Sequence, residues 1–203
     1  ISVPAKIIQQ ELGMDAASMG LVMAVWYWGY ALFQIPSGWL ADYLGSRKAL
    51  VFYAITWSIF TAIAGCASSY EQLLIFWCLM GIAQAGIFPA SAKAIGAWFS
   101  DRGKAFASGL LASSMAVGGA LAPALTAQLL TTTTWQQTFF IYGIPGIVWA
   151  TLFFYFTSDA KETSQSSVSD NSSKIDWMVL ITSTSMWLLC AQQFLRAAAM
   201  VFF

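Results

Sequence analysis

The spacing of the charged residues constrains the fold of this chain more than any other feature. Three runs without a formal charge, of 26, 22 and 21 residues, cover positions 16–41, 49–70 and 72–92. About 20 residues of helix, with a rise of about 1.5 Å each, cross a hydrocarbon core of roughly 30 Å. Each run is therefore long enough for one membrane-spanning helix.

Two further apolar runs follow these three. Residues 105–158 carry no charge over 54 positions, which is too long for one helix, and the polar stretch TTTTWQQT at 131–138 divides them. The last run begins at Trp177 and is still apolar where the sequence stops. Because 59% of the residues are hydrophobic and 9% are charged, the composition is typical of a membrane protein. We predict an all-α, multi-pass membrane protein with five complete helices and the beginning of another.

The distribution of Lys and Arg predicts the orientation of these helices. Seven of the nine basic residues fall in segments that alternate loops place on one side, namely 42–48, 93–104 and 159–176. Basic loops are typical of the cytoplasmic side. We therefore expect an integral protein of a plasma or inner membrane, with the 42–48 turn in the cytoplasm.

A polar segment divides the chain into two helical parts. Residues 158–174, SDAKETSQSSVSDNSSK, are rich in serine and have no apolar period, which predicts a flexible cytoplasmic linker. Residues 1–157 then form an N-terminal transmembrane part, and residues 175–203 begin a C-terminal one. The opening ISVPAKIIQQELG is apolar and lacks a secretory pattern, so we interpret it as the tail of an earlier helix and the sequence as a fragment.

Several classes of function are disfavoured by the composition. The chain has no His, its three cysteines are scattered without a CxxC pair, and no phosphate-binding glycine loop is present. Nucleophilic catalysis lacks a base, and a net charge of zero does not favour nucleic acid. We predict a protein that is not an enzyme, needs no metal or cofactor, and has the lipid bilayer as its surroundings.

The segment GWLADYLGSRK, residues 38–48, predicts a tight turn between two helices. Gly38 allows another helix to approach, Gly45 can adopt a positive φ, and Arg47 and Lys48 hold the turn on the cytoplasmic side. Asp42 is unusual, because an acid at a helix C-terminus is unfavourable unless it faces a base or another helix N-terminus. The alternative is an ordinary solvated turn.

The same five residues resemble the signature G-x-x-x-D-x-x-G-x-[RK]-[RK] of the major facilitator superfamily, with Tyr43 where a base is common. The resemblance implies the N-terminal six-helix half of a twelve-helix fold, with its first helix mostly missing and its seventh begun. It also implies a secondary transporter, monomeric when full length, in which this motif takes part in conformational gating. Part of the partner set of Asp42 would then lie in the other half.

Four stretches are similar to one branch of that superfamily, the anion:cation symporter family. They are SVPAKIIQQELGM, YWGYALFQIPSGWLADYLGSRK, GIAQAGIFPASAKAIGAWFSDRGKAFASG and AQQFLRAAAMVFF. This similarity implies a small organic anion, such as a sugar acid, as substrate, with H⁺ or Na⁺ as coupling ion. An organophosphate or anion exchanger, a uniporter, and a membrane sensor that binds without transporting are the alternatives.

Polar residues inside the apolar runs are the candidate substrate contacts, since a polar group in lipid needs a partner or an aqueous cavity. Trp26, Tyr30 and Gln34 recur every four residues on one helix face. On a later helix, Gln84 shares a face with Trp77, Gly81 and Phe88. We predict that Tyr30, Gln34 and Gln84 contact the substrate. The competing interpretation is a glutamine bonded to a neighbouring helix among aromatic rings that only pack.

Gln84 and Trp77 depart from the symporter pattern. In several members of that branch the residue matching Gln84 is a glutamate used in proton coupling, and the residue matching Trp77 is an arginine. Neither charge is present in this chain. A coupling acid would therefore have to lie in the missing segments, or the protein would exchange its substrate, equilibrate it, or use another ion.

Arg196 is the remaining candidate for the substrate site. It follows Gln192 by four residues in an apolar run, and its guanidinium could bind a carboxylate through two hydrogen bonds. In the family an arginine on the seventh helix often belongs to the anion site. The alternative is an arginine near a helix end that reaches the lipid headgroups.

Overall fold

The fold was examined in a computed structural model, which describes residues 4–157 and 182–201. Within these ranges the backbone is helical, connected by short turns, which confirms the all-α prediction. The helices are α1 Ala5–Glu11, α2 Ala16–Leu44, α3 Ser46–Ala64, α4 Tyr70–Ala85, α5 Ile87–Trp98, α6 Asp101–Leu129, α7 Trp135–Phe156 and α8 Thr184–Val201. The predicted linker 158–174 lies outside the described residues.

Four helical segments in the described part of the chain are long and apolar enough to cross a membrane. They are Ala16–Leu44, Tyr70–Trp98, Asp101–Leu129 and Trp135–Phe156. The helix predicted over 49–70 is α3, which begins earlier and includes Arg47 and Lys48 among its 19 residues. It is not one of the four by composition, although its length corresponds to about 28 Å of rise.

Side-chain caps explain where three helices begin. Asp15 accepts a hydrogen bond from the backbone N–H of Ser18, and Ser69 does the same for Gln72. Thr134 and Gln137 form a reciprocal capping box at the start of α7. This box begins a new helix five residues after α6 ends at Leu129, which confirms that TTTTWQQT divides the run 105–158 into two helices.

The membrane-spanning helix predicted over 72–92 lies within the segment Tyr70–Trp98, and a turn at Gly86 divides that segment into two helices. α4 ends at Ala85 and α5 begins at Ile87. Pro89 lacks an N–H, so the carbonyl four residues earlier, at Ala85, loses its helical hydrogen bond. A Cβ on Gly86 would lie 2.2 Å from the Tyr53 ring carbon Cε2, so the ring of α3 packs directly against the interruption.

Glycines bring α2 close to α4. A Cβ on Gly81 would lie 2.3 Å from the carbonyl oxygen of Trp26, and one on Gly29 would lie 2.8 Å from the carbonyl oxygen of Cys78. Only a residue without a side chain permits such a backbone approach. Further along both helices, Asp42 meets Lys93 of α5. A residue nearer the C-terminus of α2 thus contacts a residue nearer the C-terminus of the α4–α5 segment. α2 therefore runs parallel to α4 and α5.

α3 and α7 pack closely in the opposite sense. A Cβ on Gly146 would meet the Ser58 hydroxyl at 2.0 Å, and one on Gly65 would meet the Gln136 carbonyl at 2.7 Å. At the other end of this pair, Arg47 contacts Phe154. The two helices are therefore antiparallel, and the Gly45 turn lies at the same end of the fold as the C-terminus of α7.

The buried apolar residues form two clusters, one toward each end of the helices. The first includes Leu50, Tyr53, Ala83 and Phe153, and lies toward the Gly45 turn. The second lies toward the opposite end, and its members are Ala5, Ile8, Met19, Val22, Trp26, Ala64, Ala67, Leu73, Trp77, Met80, Trp135 and Phe139. Since Ala83 belongs to the first cluster and Met80 to the second, α4 links them in its last turns.

Candidate functional site

Gln84 is the most unusual polar residue among those that the structure describes. It lies in the last turn of α4, at the centre of the apolar segment Tyr70–Trp98, and its side chain is 0% exposed. Neither its amide oxygen nor its amide nitrogen has a hydrogen-bond partner among the described residues. A buried polar group without a partner costs about 1–3 kcal/mol. One hydrogen-bond donor group and one acceptor of this amide are therefore left without a partner among the described residues.

The predicted face of α2 carries a short polar and aromatic row. The rings of Trp26 and Tyr30 stack with centroids 5.4 Å apart. Gln34 donates from Nε2 to the Tyr30 hydroxyl at 3.3 Å. Trp26 is buried, whereas Tyr30 and Gln34 are partly buried. The row remains accessible at its polar end.

The row on α2 and the face of α4 meet at Trp26. The Trp26 backbone packs on Gly81, and Gly81 precedes Gln84 by three residues, so both lie on one side of α4. Trp77, one turn before Gly81, is also buried. The structure therefore joins the two predicted faces through backbone contact, but Gln84 does not hydrogen-bond Tyr30 or Gln34.

A second buried amide comes from α8. Gln192 is 1% exposed and accepts a hydrogen bond at 3.4 Å from the hydroxyl of Ser91, which lies in α5 and is fully buried. The Nε2 atom of Gln192 has no partner in residues 4–157 and 182–201. Ser91 was not predicted as a site residue. Its position seven residues, or about two helical turns, after Gln84 was the signal that could have identified it. Arg196 lies in α8, but its side chain lies outside the described residues, so its role stays a prediction.

Asp42 is paired at the end of α2. Lys93 Nζ lies 2.9 Å from the Asp42 carboxylate and donates to the carbonyl oxygens of Ala41 at 3.2 Å and Asp42 at 3.4 Å. The ammonium thus neutralises the acid and binds carbonyls at the negative end of the helix dipole. The sequence indicated that Asp42 needs a base or another helix N-terminus nearby, and Lys93 is such a base.

Arg47 ties the Gly45 turn to α7. Its guanidinium donates to the Phe154 carbonyl at 2.5 Å and lies 4.7 Å from the centre of the Phe154 ring. Gly45 has a φ of +79°, as the sequence predicted, and Lys48 is exposed. Gly38 differs from expectation, because a Cβ there would meet only Pro89 at 4.0 Å. No described helix approaches Gly38 closely enough to require glycine.

The candidate site offers amides, hydroxyls and aromatic rings. Among the described residues no cluster of three His, Cys, Asp or Glu side chains could hold a metal ion. These residues also place no carboxylate in the middle of the apolar segments, since their acids are Glu11, Asp15, Asp42, Glu71 and Asp101. The arrangement is therefore suited to binding a polar molecule by neutral hydrogen bonds.

Comparison with known proteins identifies the family. The sequence model of the Major Facilitator Superfamily matches residues 1–203, the whole chain. This chain belongs to the Major Facilitator Superfamily. The signature at Gly38, Asp42, Gly45, Arg47 and Lys48 is thus found in a member of the superfamily whose pattern it resembles.

Curated relatives of this chain are named as transporters of organic acids. The chain is 30% identical over 162 residues to the probable sulfoacetate transporter SauU of Cupriavidus necator, covering 80% of this chain and 38% of that protein. It is 32% identical over 154 residues to the D-galactonate transporter of Escherichia coli O6:H1, covering 76% and 36%. It is 28% identical over 159 residues to the hexuronate transporter of Bacillus subtilis, covering 78% and 38%. The chain spans less than half the length of these relatives.

Proposed function

We propose that this chain is the N-terminal part of a secondary transporter that carries a small organic anion, such as a sugar acid, across a membrane by alternating access. The three relatives are named for sulfoacetate, D-galactonate and hexuronate, which are all small organic acids. Substrates of secondary transporters bind near the bilayer midplane between two halves of the protein. The full-length transporter would supply the second half and act as a monomer.

The observation that carries this proposal is the free amide of Gln84 at mid-segment. Its two polar atoms are buried and have no partner among the described residues, so a hydroxyl or carboxylate of a substrate would supply the missing hydrogen bonds. Tyr30 and Gln34 would add contacts from α2, which packs against the same helix. Arg196 would contribute a cationic contact from α8.

The Gly45 turn would set the balance between the conformations of the transporter. Asp42 is held by Lys93, and Arg47 binds α7, so the turn is anchored to two other helices of this half. Gly38, Gly45 and Lys48 complete the motif. The proposed orientation places this turn in the cytoplasm, in keeping with the basic residues around it.

We propose first that transport of the anion is coupled to a cation, H⁺ or Na⁺. A specific observation favours a second version, an exchanger or a uniporter. The described acids lie near helix ends, and Gln84 occupies the position where the symporter resemblance leads one to expect a titratable glutamate. Gln does not titrate, so a proton-coupled version requires an acid outside the described residues.

Uptake measurements test the proposal. Proteoliposomes containing the full-length transporter are supplied with radiolabelled D-galactonate, a hexuronate or sulfoacetate, with an inward proton gradient, an inward sodium gradient or neither. Accumulation driven by one gradient identifies the coupling ion and supports symport. Equilibration that neither gradient changes supports the uniporter, and uptake that requires internal anion supports the exchanger.

Two results would count against transport of organic acids. Absence of uptake for every acid, in liposomes that bind none of them, would remove the anion proposal. Saturable binding without any internal accumulation or exchange would instead indicate a membrane sensor. Liposomes containing the Gly81→Leu variant, in which α2 and α4 cannot pack, provide the inactive control.

A further inference from the structure

A cavity that does not include Gln84 lies between α2, α3 and α4. Its volume is about 320 Å³, within the range of small-molecule pockets. α2, α3 and α4 enclose it, and its lining residues are Phe33, Pro36, Ser37, Leu40, Phe52, Tyr53, Thr56, Phe60, Leu79, Ile82 and Ala83. Gln84 is not among them. Phe33 is 42% exposed and Phe52 is 48% exposed, so the cavity opens on the outer surface of the helices.

The walls of this cavity offer almost no polar chemistry. The Thr56 hydroxyl donates to the carbonyl of Phe52 at 2.6 Å, and the Tyr53 hydroxyl donates to the carbonyl of Ser37 at 2.7 Å. Both hydroxyls are therefore occupied within the protein. A small organic acid would have to give up its hydration here without replacement, which is unfavourable. A hydrocarbon chain meets no such cost.

The depth of the cavity matches one leaflet of a bilayer. Leu40 lies four residues before the end of α2, and Phe52 and Phe60 lie six and fourteen residues after the start of α3. At about 1.5 Å per residue, the cavity extends from roughly 6 to 21 Å above the Gly45 turn. Half of a hydrocarbon core of about 30 Å is about 15 Å. With the Gly45 turn at the membrane surface, an opening at this depth lies at the level of the acyl chains of the adjacent leaflet.

A lysine, Lys48, lies in line with the cavity. Lys48, Phe52, Thr56 and Phe60 recur every four residues and so lie along one face of α3. Lys48 is exposed, and its ammonium has no hydrogen bond or ion pair among the described residues. A lysine at this height reaches the headgroup region with its flexible stem. One face of α3 thus presents a positive charge at headgroup level and an apolar cavity at acyl level.

We propose that this groove binds an anionic phospholipid, with one acyl chain in the cavity and the phosphate beside Lys48. The apolar walls select a hydrocarbon chain, and the exposed ammonium of Lys48 selects a negative headgroup over a zwitterionic one. A peptide helix is a poorer occupant, since it would bury Lys48 without neutralising it. The proposal does not depend on which solute the protein transports, because its readout is lipid binding.

Photocrosslinking of a labelled lipid tests the assignment. The full-length transporter is reconstituted with phosphatidylglycerol that carries a diazirine midway along one acyl chain, and the crosslinked peptides are mapped by mass spectrometry. We expect crosslinks concentrated in 33–40 and 52–60. Replacing the headgroup by phosphatidylcholine lowers their yield by about fivefold, the effect of about one lysine near a charged lipid. Inorganic phosphate at millimolar concentration does not compete.

Matched variants separate the cavity and the charge from general lipid contact. Thr56→Trp fills the cavity and is expected to reduce these crosslinks to background. Ile55→Trp adds the same ring at the neighbouring position, which is 38% exposed and outside the cavity, and leaves them unchanged. Lys48→Gln removes the preference for phosphatidylglycerol, whereas Lys104→Gln retains it, because Lys104 is already paired with Asp101.

Three outcomes would overturn the proposal. Crosslinks that persist in Thr56→Trp would show ordinary boundary lipid and not an occupied cavity. Equal labelling by both headgroups, unaffected by Lys48→Gln, would show that the charge has no role. Labelling that is absent from 33–40 and 52–60, but present elsewhere on the protein, would show that another protein segment fills the groove.

Discussion

The Gly45 end of the fold and the middle of α4 treat polar groups in opposite ways. At the Gly45 end Asp42 is paired with Lys93, and Asp101 is paired with Lys104, although these carboxylates are largely exposed. In the middle, Gln84 is fully buried and has no partner among the described residues. The solvent-exposed carboxylates are thus paired within the chain, whereas the buried amide of Gln84 has no partner among the described residues.

This difference separates two kinds of role. An exposed ion pair contributes little free energy, typically 0–1 kcal/mol, but it holds two helix ends at a defined distance. An unpaired buried amide lowers stability, so its presence is explained when something outside the described helices completes its hydrogen bonds. This difference supports the proposal that the Gly45 end controls conformation and that Gln84 contacts the substrate. The predictions below test each side of that proposal.

Replacing Gln84 by leucine should have the largest effect, and the effect should fall on transport alone. A hydrogen bond to a charged group contributes about 1.5–3 kcal/mol, so uptake of the organic acid should fall by about 10-fold to 150-fold. Because leucine removes an unpaired buried amide, the Tm of the variant should stay the same or rise. Uptake by proteoliposomes and thermal unfolding in detergent measure the two quantities.

Gln128→Leu is the control for that prediction, since Gln128 lies exposed on α6. Its uptake should match that of the unmodified protein. If Gln84→Leu lowers Tm together with uptake, the amide has a structural partner outside the described residues. If it changes neither, the contrast between the two regions has no functional meaning.

The Asp42–Lys93 pair should have the next largest effect. The Asp42 side chain is 72% exposed and that of Lys93 is 39% exposed, so solvent screening limits the coupling to at most about 1 kcal/mol, or about fivefold in a conformational equilibrium. Asp42→Asn and Lys93→Gln should each change the uptake rate by up to this factor. The double variant should differ little from either single one, and the exchanged pair, Asp42→Lys with Lys93→Asp, should recover part of the rate.

A double-mutant cycle on the uptake rate decides whether this pair acts as a unit. Purely additive effects would mean that the two residues do not act on each other in the working protein. A large loss in Asp42→Asn with none in Lys93→Gln would place the main partner of Asp42 outside this chain, as the superfamily resemblance implies.

Several of the features compared above could be predicted from the sequence, because each depends on residues that are close together in the chain. Charge-free runs identified the helices, Gly45 indicated a positive φ, and Asp42 at a helix C-terminus indicated a base or another helix N-terminus nearby. These inferences need only one helix or one turn. Lys93 as that base, 51 residues away, could not be predicted because it depends on how α5 packs beside α2.

The features that sequence reasoning missed depend on three-dimensional packing. The division of the α4–α5 segment requires Pro89 and also the Tyr53 ring, which fills the space beside Gly86. Gln84 was recognised as a candidate by its apolar surroundings, but whether its amide had a partner depended on every neighbouring helix. Ser91 and Gln192 meet across 101 positions of sequence, a separation at which no periodic pattern relates two residues.

Arg47 sharpens the comparison because its contacts need a guanidinium and not only a charge. Arg47→Lys keeps the positive charge but loses the planar donor that binds the Phe154 carbonyl and lies over the Phe154 ring. A cation–π contact at such a site contributes about 0.5–1 kcal/mol, so Tm should fall by about 1–4 °C. Lys48→Gln, measured in a zwitterionic detergent, should leave Tm unchanged. Equal falls in both variants would indicate that charge alone stabilises the turn.

The smallest effect is expected at Asp15, the N-cap of α2, which lies at the other end of that helix from Asp42. Its hydrogen bonds with Ser18 lower the pKa of the Asp15 carboxyl, so its stabilising contribution is complete above the unfolded pKa of about 3.9 and is lost as pH falls through the lower folded value. Asp15→Ala should reduce Tm by about 1–2 °C at pH 7 and by less below pH 4. Asp15→Asn keeps a capping oxygen without titrating, so it should remain close to the unmodified protein at pH 7. A fall of Tm in Asp15→Asn equal to that in Asp15→Ala would show that the charge, acting on the N-terminal end of the α2 dipole, matters more than the cap.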